Sequence, residues 1–327
     1  MTSAAQFRAL VLDRKGDAAP TIAIRELDQS QLPPDGVLVS VKYSSLNYKD
    51  GLILKGLGRL VRTYPHVPGI DLVGTLADDS NKQVVLTGWR VGEIRWGGYA
   101  TQARVPADWL LPVPDGLLPR QVMAIGTAGL TAALAVNALE ERGLTTSSGD
   151  VLVTGAAGGV GSVSVMLLSA LGYRVVASTG RMALAERLHA LGATEIIERA
   201  TLQGARKPLE TERFAAAIDT VGDQSLSGIL PQLKYGGTVA ACGLAGGADL
   251  KTSVVPFLLR GVALLGIDSV LSNNESRQKA WNLLARVLPL ELLDKATEVV
   301  AMSEIGGYAD RILKGDVAGR IVVDPAV

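Results

Sequence analysis

The chain has 327 residues, of which 48% are hydrophobic and 20% charged, and its 32 basic residues balance 32 acidic ones. This length is typical of about two domains. The balanced charge disfavours nucleic acid or an anionic membrane as the main partner, because both select a basic excess. Cys242 is the only cysteine and there are two histidines, which excludes an intrachain disulfide and disfavours a Cys/His zinc site.

Targeting and membrane signals are weak. The N-terminal stretch "MTSAAQFRALVLDRKG" has an apolar run that is too short and too interrupted by charge for a signal peptide. We see no segment that approaches the ~20 apolar residues of a membrane span. The sequence therefore predicts a cytoplasmic protein that binds neither nucleic acid nor a membrane.

The first part of the chain, up to about residue 120, alternates short β-branched runs with Gly and Pro. Examples are "GVLVSVKYSS", "QVVLTGW" and "YATQARV". This pattern is typical of a compact, mostly antiparallel β domain. The next stretch, "VMAIGTAGLTAALAVNALEERG", is rich in Ala and Leu, and it predicts one long, mostly buried helix that ends at Gly143.

From Val151 onward the pattern predicts alternating strands and helices. The predicted strands are 151–154, "YRVVAST", "AAAIDTV", "GTVAACG" and "ALLGIDSV". Helices are expected up to Leu171 and from about Ala183 to Leu191. Continuous apolar strands separated by helices indicate an α/β fold, with a parallel sheet covered on both faces.

A glycine-rich turn follows the first of these strands. In "VLVTGAAGGVGSVSV", residues 156–161 read AAGGVG, close to the dinucleotide motif G-x-G-x-x-G. Gly158 lets the backbone approach a pyrophosphate, Gly161 lets helix and strand pack closely, and the helix N-terminus offers N–H groups to the anion. The strand–turn–helix context favours this function over an ordinary tight turn. The residues expected to line the pyrophosphate are Ala157, Gly158, Gly159 and Val160.

The end of the second strand predicts which dinucleotide binds. NAD sites usually carry Asp or Glu about 20 residues past the glycines, to bind the ribose 2′-OH. Here "VVASTGR" places Thr179 at that point, followed by Gly180 and Arg181. A carboxylate would repel a 2′-phosphate, whereas a hydroxyl and a guanidinium bind one. We therefore predict NADPH as the cofactor; the alternative is that Arg181 is an ordinary surface charge.

Motifs spread over the whole chain carry a resemblance. They are "SSLNYKD" (44–50), "PGIDLVGT" (68–75), "LTGWRVGE", "WGGYA", "IGTAGLTA" (125–132), "TGAAGGVGS", "DTVGD" (219–223) and "ACGLAGG" (241–247). With them the chain resembles the medium-chain dehydrogenase/reductase superfamily and, within it, the acryloyl-CoA reductase branch. The resemblance implies a Rossmann doubly wound parallel sheet plus a GroES-like, mostly β catalytic domain. We predict the GroES-like domain over 1–121 with 291–327, where "GRIVVD" returns as a strand, and the NADP-binding domain over 122–290.

The resemblance also implies a reaction. NADPH would reduce the C=C bond of acryloyl-CoA to give propanoyl-CoA, with the hydride going to the β-carbon. Zinc-using relatives have a ligand cysteine where this chain has Asn47, and a Gly-His-Glu triplet where it has 69–71, Gly-Ile-Asp. A zinc-independent reaction is therefore expected. The alternatives are an NADPH-dependent quinone or enone reductase on the same scaffold, and a non-catalytic NADPH-binding sensor or structural protein.

Site residues follow from the same resemblance. The predicted catalytic residues are Asn47, Tyr48 and Asp50, and Tyr48 is also expected to contact the cofactor. A structural role for Asp50, buried and bonded to the backbone, is an equal alternative. The proton donor stays open between Tyr64, the nearest tyrosine downstream, and water. Further predicted cofactor residues are Thr127, Arg199, Leu244, Ile267, Ser269 and Arg320, the last against the cofactor or a CoA phosphate.

Two further expectations concern surfaces. In "GWRVGEIRWGG", Arg90 and Arg95 depart from the branch. They are read as exposed charges, or alternatively as contacts to CoA phosphates. The segment "VALLGIDSV" is predicted as an edge strand that pairs across a two-fold axis, so we expect a homodimer. His189 and Cys242 are predicted to be structural.

Overall fold

The structure, a computed structural model, describes residues 5–204 and 207–327. Residues 1–4 of the first predicted domain and 205–206 of the second lie outside the described residues. The strands, in chain order, are β1 (Gln6–Asp13), β2 (Thr21–Asp28), β3 (Val37–Leu46), β4 (Asp71–Leu76), β5 (Asp79–Thr87), β6 (Gln102–Val105), β7 (Leu111–Pro112), β8 (Val151–Val153), β9 (Val175–Thr179), β10 (Glu195–Glu198), β11 (Phe214–Asp219), β12 (Leu233–Ala241), β13 (Ala263–Gly266), β14 (Thr297–Ala301) and β15 (Arg320–Asp324). The α-helices are α1 (Tyr48–Leu54), α2 (Pro119–Glu141), α3 (Gly159–Ala170), α4 (Ala185–Ala190), α5 (Asp223–Ile229), α6 (Val255–Arg260), α7 (Asn274–Val287), α8 (Leu290–Lys295) and α9 (Ile305–Leu313).

The chain divides into two compact units. Unit 1 comprises the chain up to Thr127 together with Val270–Gln278 and Leu293–Val327, and unit 2 comprises Ala128–Ser269 and Lys279–Leu292. These bounds differ from the predicted ones mainly at 122–127 and 270–278. The segment 270–278 belongs to unit 1 because the buried guanidinium of Arg277 donates to the backbone oxygens of Thr87 and Val270.

Unit 1 contains a mostly antiparallel sheet. Its strand order is β14-β15-β3-β4-β5-β7, with β6 also paired to β3, and β1 and β2 form a separate antiparallel pair. Alternation in β3 shows why it forms, since Val39 and Val41 are buried while Ser40 between them is exposed. The C-terminal β15 pairs antiparallel with β3. The end of the chain therefore completes a sheet built by its beginning.

Unit 2 contains a six-stranded parallel sheet in the order β10-β9-β8-β11-β12-β13. The predicted α/β fold with a parallel sheet is confirmed. Val151–Val153 and Val175–Thr179 are buried throughout, as expected for strands covered on both faces. The chain leaves β8 toward β9 and returns on its other side as β11. In such sheets ligands bind beyond the carboxyl ends of the strands at this switch point.

Helix α2 departs from its prediction in two ways. It begins at Pro119 and is interrupted at Gly126, whose φ of 49° and ψ of −156° are not helical, so the predicted single helix is wrong at this residue. The expectation that no segment is long and apolar enough to span a membrane is also wrong, because α2 meets both criteria. In the described structure, 83% of its apolar window is buried inside the protein, which makes it a core helix.

Candidate active site

A cluster of polar side chains, all buried except the partly buried Thr127, lies in unit 1, where β3, β4 and α1 meet. We call it the buried polar cluster. Its members are Ser45, Asn47, Asp50, Asp71, Tyr99, Thr127 and Arg320. Buried polar groups are costly unless they are hydrogen-bonded, so the bonds within this cluster are the first thing to account for.

Asp71 is the centre of the cluster. It is completely buried, and its Oδ2 accepts hydrogen bonds from Ser45 Oγ at 2.6 Å, Asn47 Nδ2 at 2.9 Å and Thr127 N at 2.8 Å. The Thr127 hydroxyl donates to Oδ1. A Cβ at Gly126 would lie 2.6 Å from Asp71 Oδ2, so the close approach of chain and carboxylate requires glycine. Asp71 thus stabilises the helix break and orients Thr127.

Asp50 is the second buried carboxylate. Its oxygens accept from two backbone groups, Asn47 N at 2.9 Å and Ile70 N at 3.0 Å. Burial, reinforced by the nearby charge of Asp71, raises the pKa of Asp50 to about 7. Asp50 is thus buried and bonded to the backbone, as the structural alternative expects.

Arg320 supplies the positive charge of the cluster. Its side chain is 2% exposed and donates to Ala124 O at 2.6 Å and Asn47 Oδ1 at 3.2 Å. The negative charges of Asp71 and Asp50 favour its charged form, which offsets part of the cost of burial. These contacts lie within the cluster, and the expected contact of Arg320 with cofactor or CoA phosphate stays a prediction.

The three predicted catalytic residues differ in exposure. Asn47 and Asp50 are buried and form the capping box of α1, whereas Tyr48, its first residue, is 40% exposed. Lys49 forms an ion pair with Glu93 at 2.9 Å. Tyr48 is therefore the predicted catalytic residue that can meet a ligand directly. Asn47 and Asp50 fix the helix turn that presents it.

The two arginines of the 88–98 loop differ in exposure and in their partners. Arg95 is 15% exposed at its side chain and pairs with Asp35 at 3.0 Å, while its Nε donates to Arg104 O. It holds the loop in place. Arg90 is 41% exposed at its side chain and makes only a longer contact of 3.4 Å to Glu93. Of the two, Arg90 is the cation that a ligand could reach.

In unit 2, the glycine turn leads from β8 into α3 as the motif predicts. Gly158 is the N-cap of α3, and no side chain of the described residues caps this end. The first backbone N–H groups of a helix have no partner within it, so they suit an anion. A Cβ at Gly161 would lie 2.3 Å from Gly155 O, which shows how closely turn and helix pack. The pyrophosphate-lining residues 157–160 all belong to this turn, and they fit a dinucleotide.

The residues predicted to select NADPH come together after β9. Thr179 is its last residue, 3% exposed, and its Oγ1 accepts the N–H of Arg181 at 3.0 Å. The guanidinium of Arg199 lies against the next residue, since a Cβ at Gly180 would be 2.7 Å from Arg199 Nη2. Gly180 and Arg199 are exposed and Arg181 is partly so. Two guanidinium groups beside an open backbone suit a phosphate dianion.

The other predicted cofactor residues in unit 2 follow neighbouring strands. Leu244 comes after β12 and is 65% exposed, an unusual fraction for a leucine. Ile267 and Ser269 come after β13 and are half-buried. All three thus lie beyond carboxyl ends of strands in the same sheet, on the side of the glycine turn.

The residues present do not fit a zinc ion. Asn47 and Ile70 provide no thiolate or imidazole at the two motif positions where zinc-using relatives have ligands. His66 is buried in unit 1 and bonded to Gly92 O. Among residues 5–204 and 207–327, no group of three or more His, Cys, Asp or Glu is arranged to hold a metal ion.

Sequence reasoning missed Asp71, Ser45 and Tyr99. The sequence shows Asp71 only as a departure from the zinc-ligand triplet. One signal was available: an acid directly before the apolar run "LVG" of β4 must be buried, and it then needs donors. The partners could not be read from the sequence, because Ser45, Thr127 and Arg320 are brought to Asp71 only by folding.

Comparison with known proteins adds family information. Residues 33–115 match the family model described as alcohol dehydrogenase GroES-like domain, and residues 159–286 match the one described as zinc-binding dehydrogenase. The chain is 52% identical over 326 residues to the acrylyl-CoA reductase AcuI of Ruegeria pomeroyi, with 97% of this chain and 99% of that protein covered.

Solved structures of similar proteins carry nucleotides. The yhdH oxidoreductase from Salmonella enterica, solved in complex with NADP, has a TM-score of 0.94 and 46% identity, with 97% of this chain and 99% of that chain covered. The Bacillus subtilis protein yhfP, solved with NAD bound, has a TM-score of 0.93 and 41% identity, covering 98% of this chain and 100% of that one.

Proposed function

Because this chain belongs to the medium-chain dehydrogenase/reductase family, we propose that it is a zinc-independent reductase that converts acryloyl-CoA to propanoyl-CoA with NADPH. The observation that carries the proposal is the 52% identity to an acrylyl-CoA reductase over 97% of the chain. Two features of the site support it: the donor set does not suit zinc, and no carboxylate follows β9.

The cofactor is assigned to the residues that the sequence predicts. The pyrophosphate would bind at Ala157–Val160, and the 2′-phosphate at the group after β9. For the remaining contacts we keep the predicted residues Tyr48, Thr127, Leu244, Ile267, Ser269 and Arg320. When bound, NADPH supplies the hydride that reaches the β-carbon of the substrate.

The rest of the reaction follows from the substrate. Hydride addition to the β-carbon of an unsaturated thioester places negative charge on the thioester oxygen, and a proton adds at the α-carbon. The carbonyl is the electron sink, so no metal is needed to polarise it. The protein contributes by orientation, because a reaction between held partners avoids much of the entropic cost of meeting. Asn47 and Asp50 hold Tyr48 at the start of α1 for this purpose.

We also propose that the protein is a cytoplasmic homodimer. Strand β13 is at the edge of the six-stranded sheet, and the neighbouring α6 exposes Leu258 and Leu259 by 76% and 64%. An unpaired edge strand beside exposed leucines favours association with a second copy. A single cysteine is consistent with a reducing compartment.

The deciding experiment measures NADPH oxidation with acryloyl-CoA, in parallel with NADH, crotonyl-CoA and a benzoquinone. We expect turnover with acryloyl-CoA and NADPH that is unchanged after treatment with a chelator. Turnover of the quinone without turnover of the thioester would instead make the protein a quinone reductase. Tight NADPH binding with no turnover of any substrate would identify a sensor.

A further inference from the structure

The carboxyl ends of three neighbouring strands of unit 2 are tied together by one buried acid. Asp219, the last residue of β11, is completely buried. Its Oδ1 accepts from Thr154 Oγ1 at 2.6 Å, its Oδ2 accepts from Gly222 N at 2.8 Å, and its backbone oxygen accepts from Cys242 N at 2.9 Å. Thr154 and Cys242 come directly after β8 and β12, and Gly222 is the third residue after β11, so Asp219 links the turns that follow all three strands.

The link to the first turn is double. Thr154 Oγ1, besides donating to Asp219, accepts Thr220 N at 3.0 Å, and Thr220 Oγ1 donates back to Thr154 O at 2.9 Å. Gly155 follows with a φ of +57°, and a Cβ there would lie 2.3 Å from Thr220 Oγ1. The chain therefore enters the glycine turn from a backbone position that these hydroxyls hold in place.

The link to the third turn runs through the backbone. Gly246 N donates to Val221 O at 2.8 Å, and Gly222 forms a bridge with Gly247. A Cβ at Gly222 would lie 2.6 Å from Gly247 O, so the two turns pack with no space between them. Leu244 is exposed in this third turn. The contacts of Gly246 and Gly247 therefore connect it to the turn after β11, which begins at Asp219.

The charge of Asp219 is part of this arrangement. Burial raises the pKa of Asp219, and the hydrogen bonds from Thr154, Gly222 and Val221 act in the opposite direction by favouring the carboxylate. An ionised acceptor makes shorter and stronger bonds to hydroxyl and amide donors than a neutral one. Loss of the Thr154 hydroxyl would leave this buried oxygen without that donor, a costly state.

We propose that Asp219 and Thr154 are positioning residues for the dinucleotide. They align the glycine turn, which receives the pyrophosphate, with the turn that carries Leu244. Neither side chain touches the cofactor; both act through the turns they join. The inference rests on the proposed binding of NADPH and extends it to residues for which sequence motifs assign no role.

The test compares Thr154→Val with Thr154→Ser. Valine keeps the shape of threonine but removes the hydroxyl, whereas serine keeps the hydroxyl. We expect the dissociation constant for NADPH, measured by nucleotide fluorescence, to rise about 10-fold in the valine variant and to stay close to wild type in the serine variant. Thr238→Val, a buried threonine near the amino-terminal end of the same sheet, is the matched control and should leave binding unchanged.

A second ligand separates positioning from general damage. The compound 2′,5′-ADP contains the 2′-phosphate half of NADPH but lacks the nicotinamide half and its phosphate. We expect the valine variant to lose much less affinity for 2′,5′-ADP than for NADPH. Equal losses for both ligands, or a serine variant as weak as the valine variant, would overturn the proposal.

The test still gives an answer if Thr154→Val does not fold, or if the wild type does not bind NADPH. If Thr154→Val does not fold by circular dichroism, Thr220→Val removes the donor to Thr154 O at a half-buried position, and the same selective loss of NADPH binding is expected. Unchanged binding in that variant would overturn the proposal. If the wild-type protein binds no NADPH, the proposed function itself fails, a result distinct from a wild type that binds and a variant that binds equally well.

Discussion

At the scale of single residues, two buried carboxylates a few ångströms from the start of α1 are held differently. Asp71 receives donors from Ser45, Asn47 and Thr127 and has the attraction of Arg320. Asp50 receives two backbone N–H groups and lies beside the charge of Asp71. Because burial and the charge of Asp71 raise the pKa of Asp50 to about 7, the protonation of Asp50 should change near neutral pH.

The expected consequence is a pH-dependent stability. The pKa of Asp50 rises from 3.8 to about 7 on folding, so its contribution is fully present below about pH 4 and is lost as the pH rises through 7. Asp50→Asn removes the titration. Relative to this variant, the wild type should lose about 3 kcal/mol of stability between pH 5 and pH 8, measured as the free energy of unfolding in urea.

The control for this experiment is Asp115→Asn, at an exposed position in the same unit. Its difference from the wild type should stay constant over the same pH range. A constant difference for Asp50→Asn as well would show that Asp50 remains ionised in the folded protein.

A second residue-scale prediction concerns the choice of nucleotide. Arg181→Gln removes one of the two guanidinium groups that we propose to bind the 2′-phosphate, and it should raise the KM for NADPH about 10-fold. The KM for NADH, which has no 2′-phosphate, should not change. Arg174→Gln is the control, because Arg174 is 62% exposed at its side chain and precedes the opposite end of β9. Equal effects on both nucleotides would remove Arg181 from phosphate recognition.

Helix α2 is an element whose break cannot be predicted from its own sequence. Its apolar sequence predicts a continuous helix, and glycine at 126 costs a helix only about 1 kcal/mol. The structure breaks the helix there because Asp71 offers Thr127 a buried acceptor, and glycine tolerates the required backbone angles. The break at Gly126 lies next to the boundary between the units. Helix α2, which the sequence places mainly in the NADP-binding domain, therefore contributes residues to both units.

The edge strand β13 and the neighbouring helix α6 form the surface proposed for the homodimer. If α6 and β13 form the interface of a homodimer, Leu258→Glu should convert the dimer to a monomer, because a charge would be buried without a partner. Light scattering coupled to gel filtration measures the mass. Leu118→Glu, at a leucine that is 59% exposed in unit 1, should leave the mass unchanged. A wild type that is already monomeric would refute the dimer directly.

The whole molecule combines an antiparallel unit, which contains the buried polar cluster, with a parallel unit, which contains the glycine turn. In the cluster, Asn47 donates a hydrogen bond to Asp71, and neither side chain is a thiolate or an imidazole, the ligands that favour zinc. This chemistry suits a substrate that supplies its own electron sink.

Three features can be predicted from the amino-acid sequence: the parallel sheet, the glycine turn after β8 and the missing acid after β9. All three depend on local patterns: continuous apolar runs, glycines at fixed spacing, and one residue type at one strand end. These patterns are local because each feature is formed by residues that are neighbours in the chain.

The partners of the buried charges are known only from the folded structure. Asp71 and Arg320 are far apart in the sequence, and the same is true of Thr154 and Asp219, so no short pattern reveals these groupings. A buried carboxylate must find donors wherever folding brings them, and its protonation depends on the charges and the burial that result. The sequence lists these residues, but the donors and the protonation of each buried carboxylate depend on segments that only folding brings together.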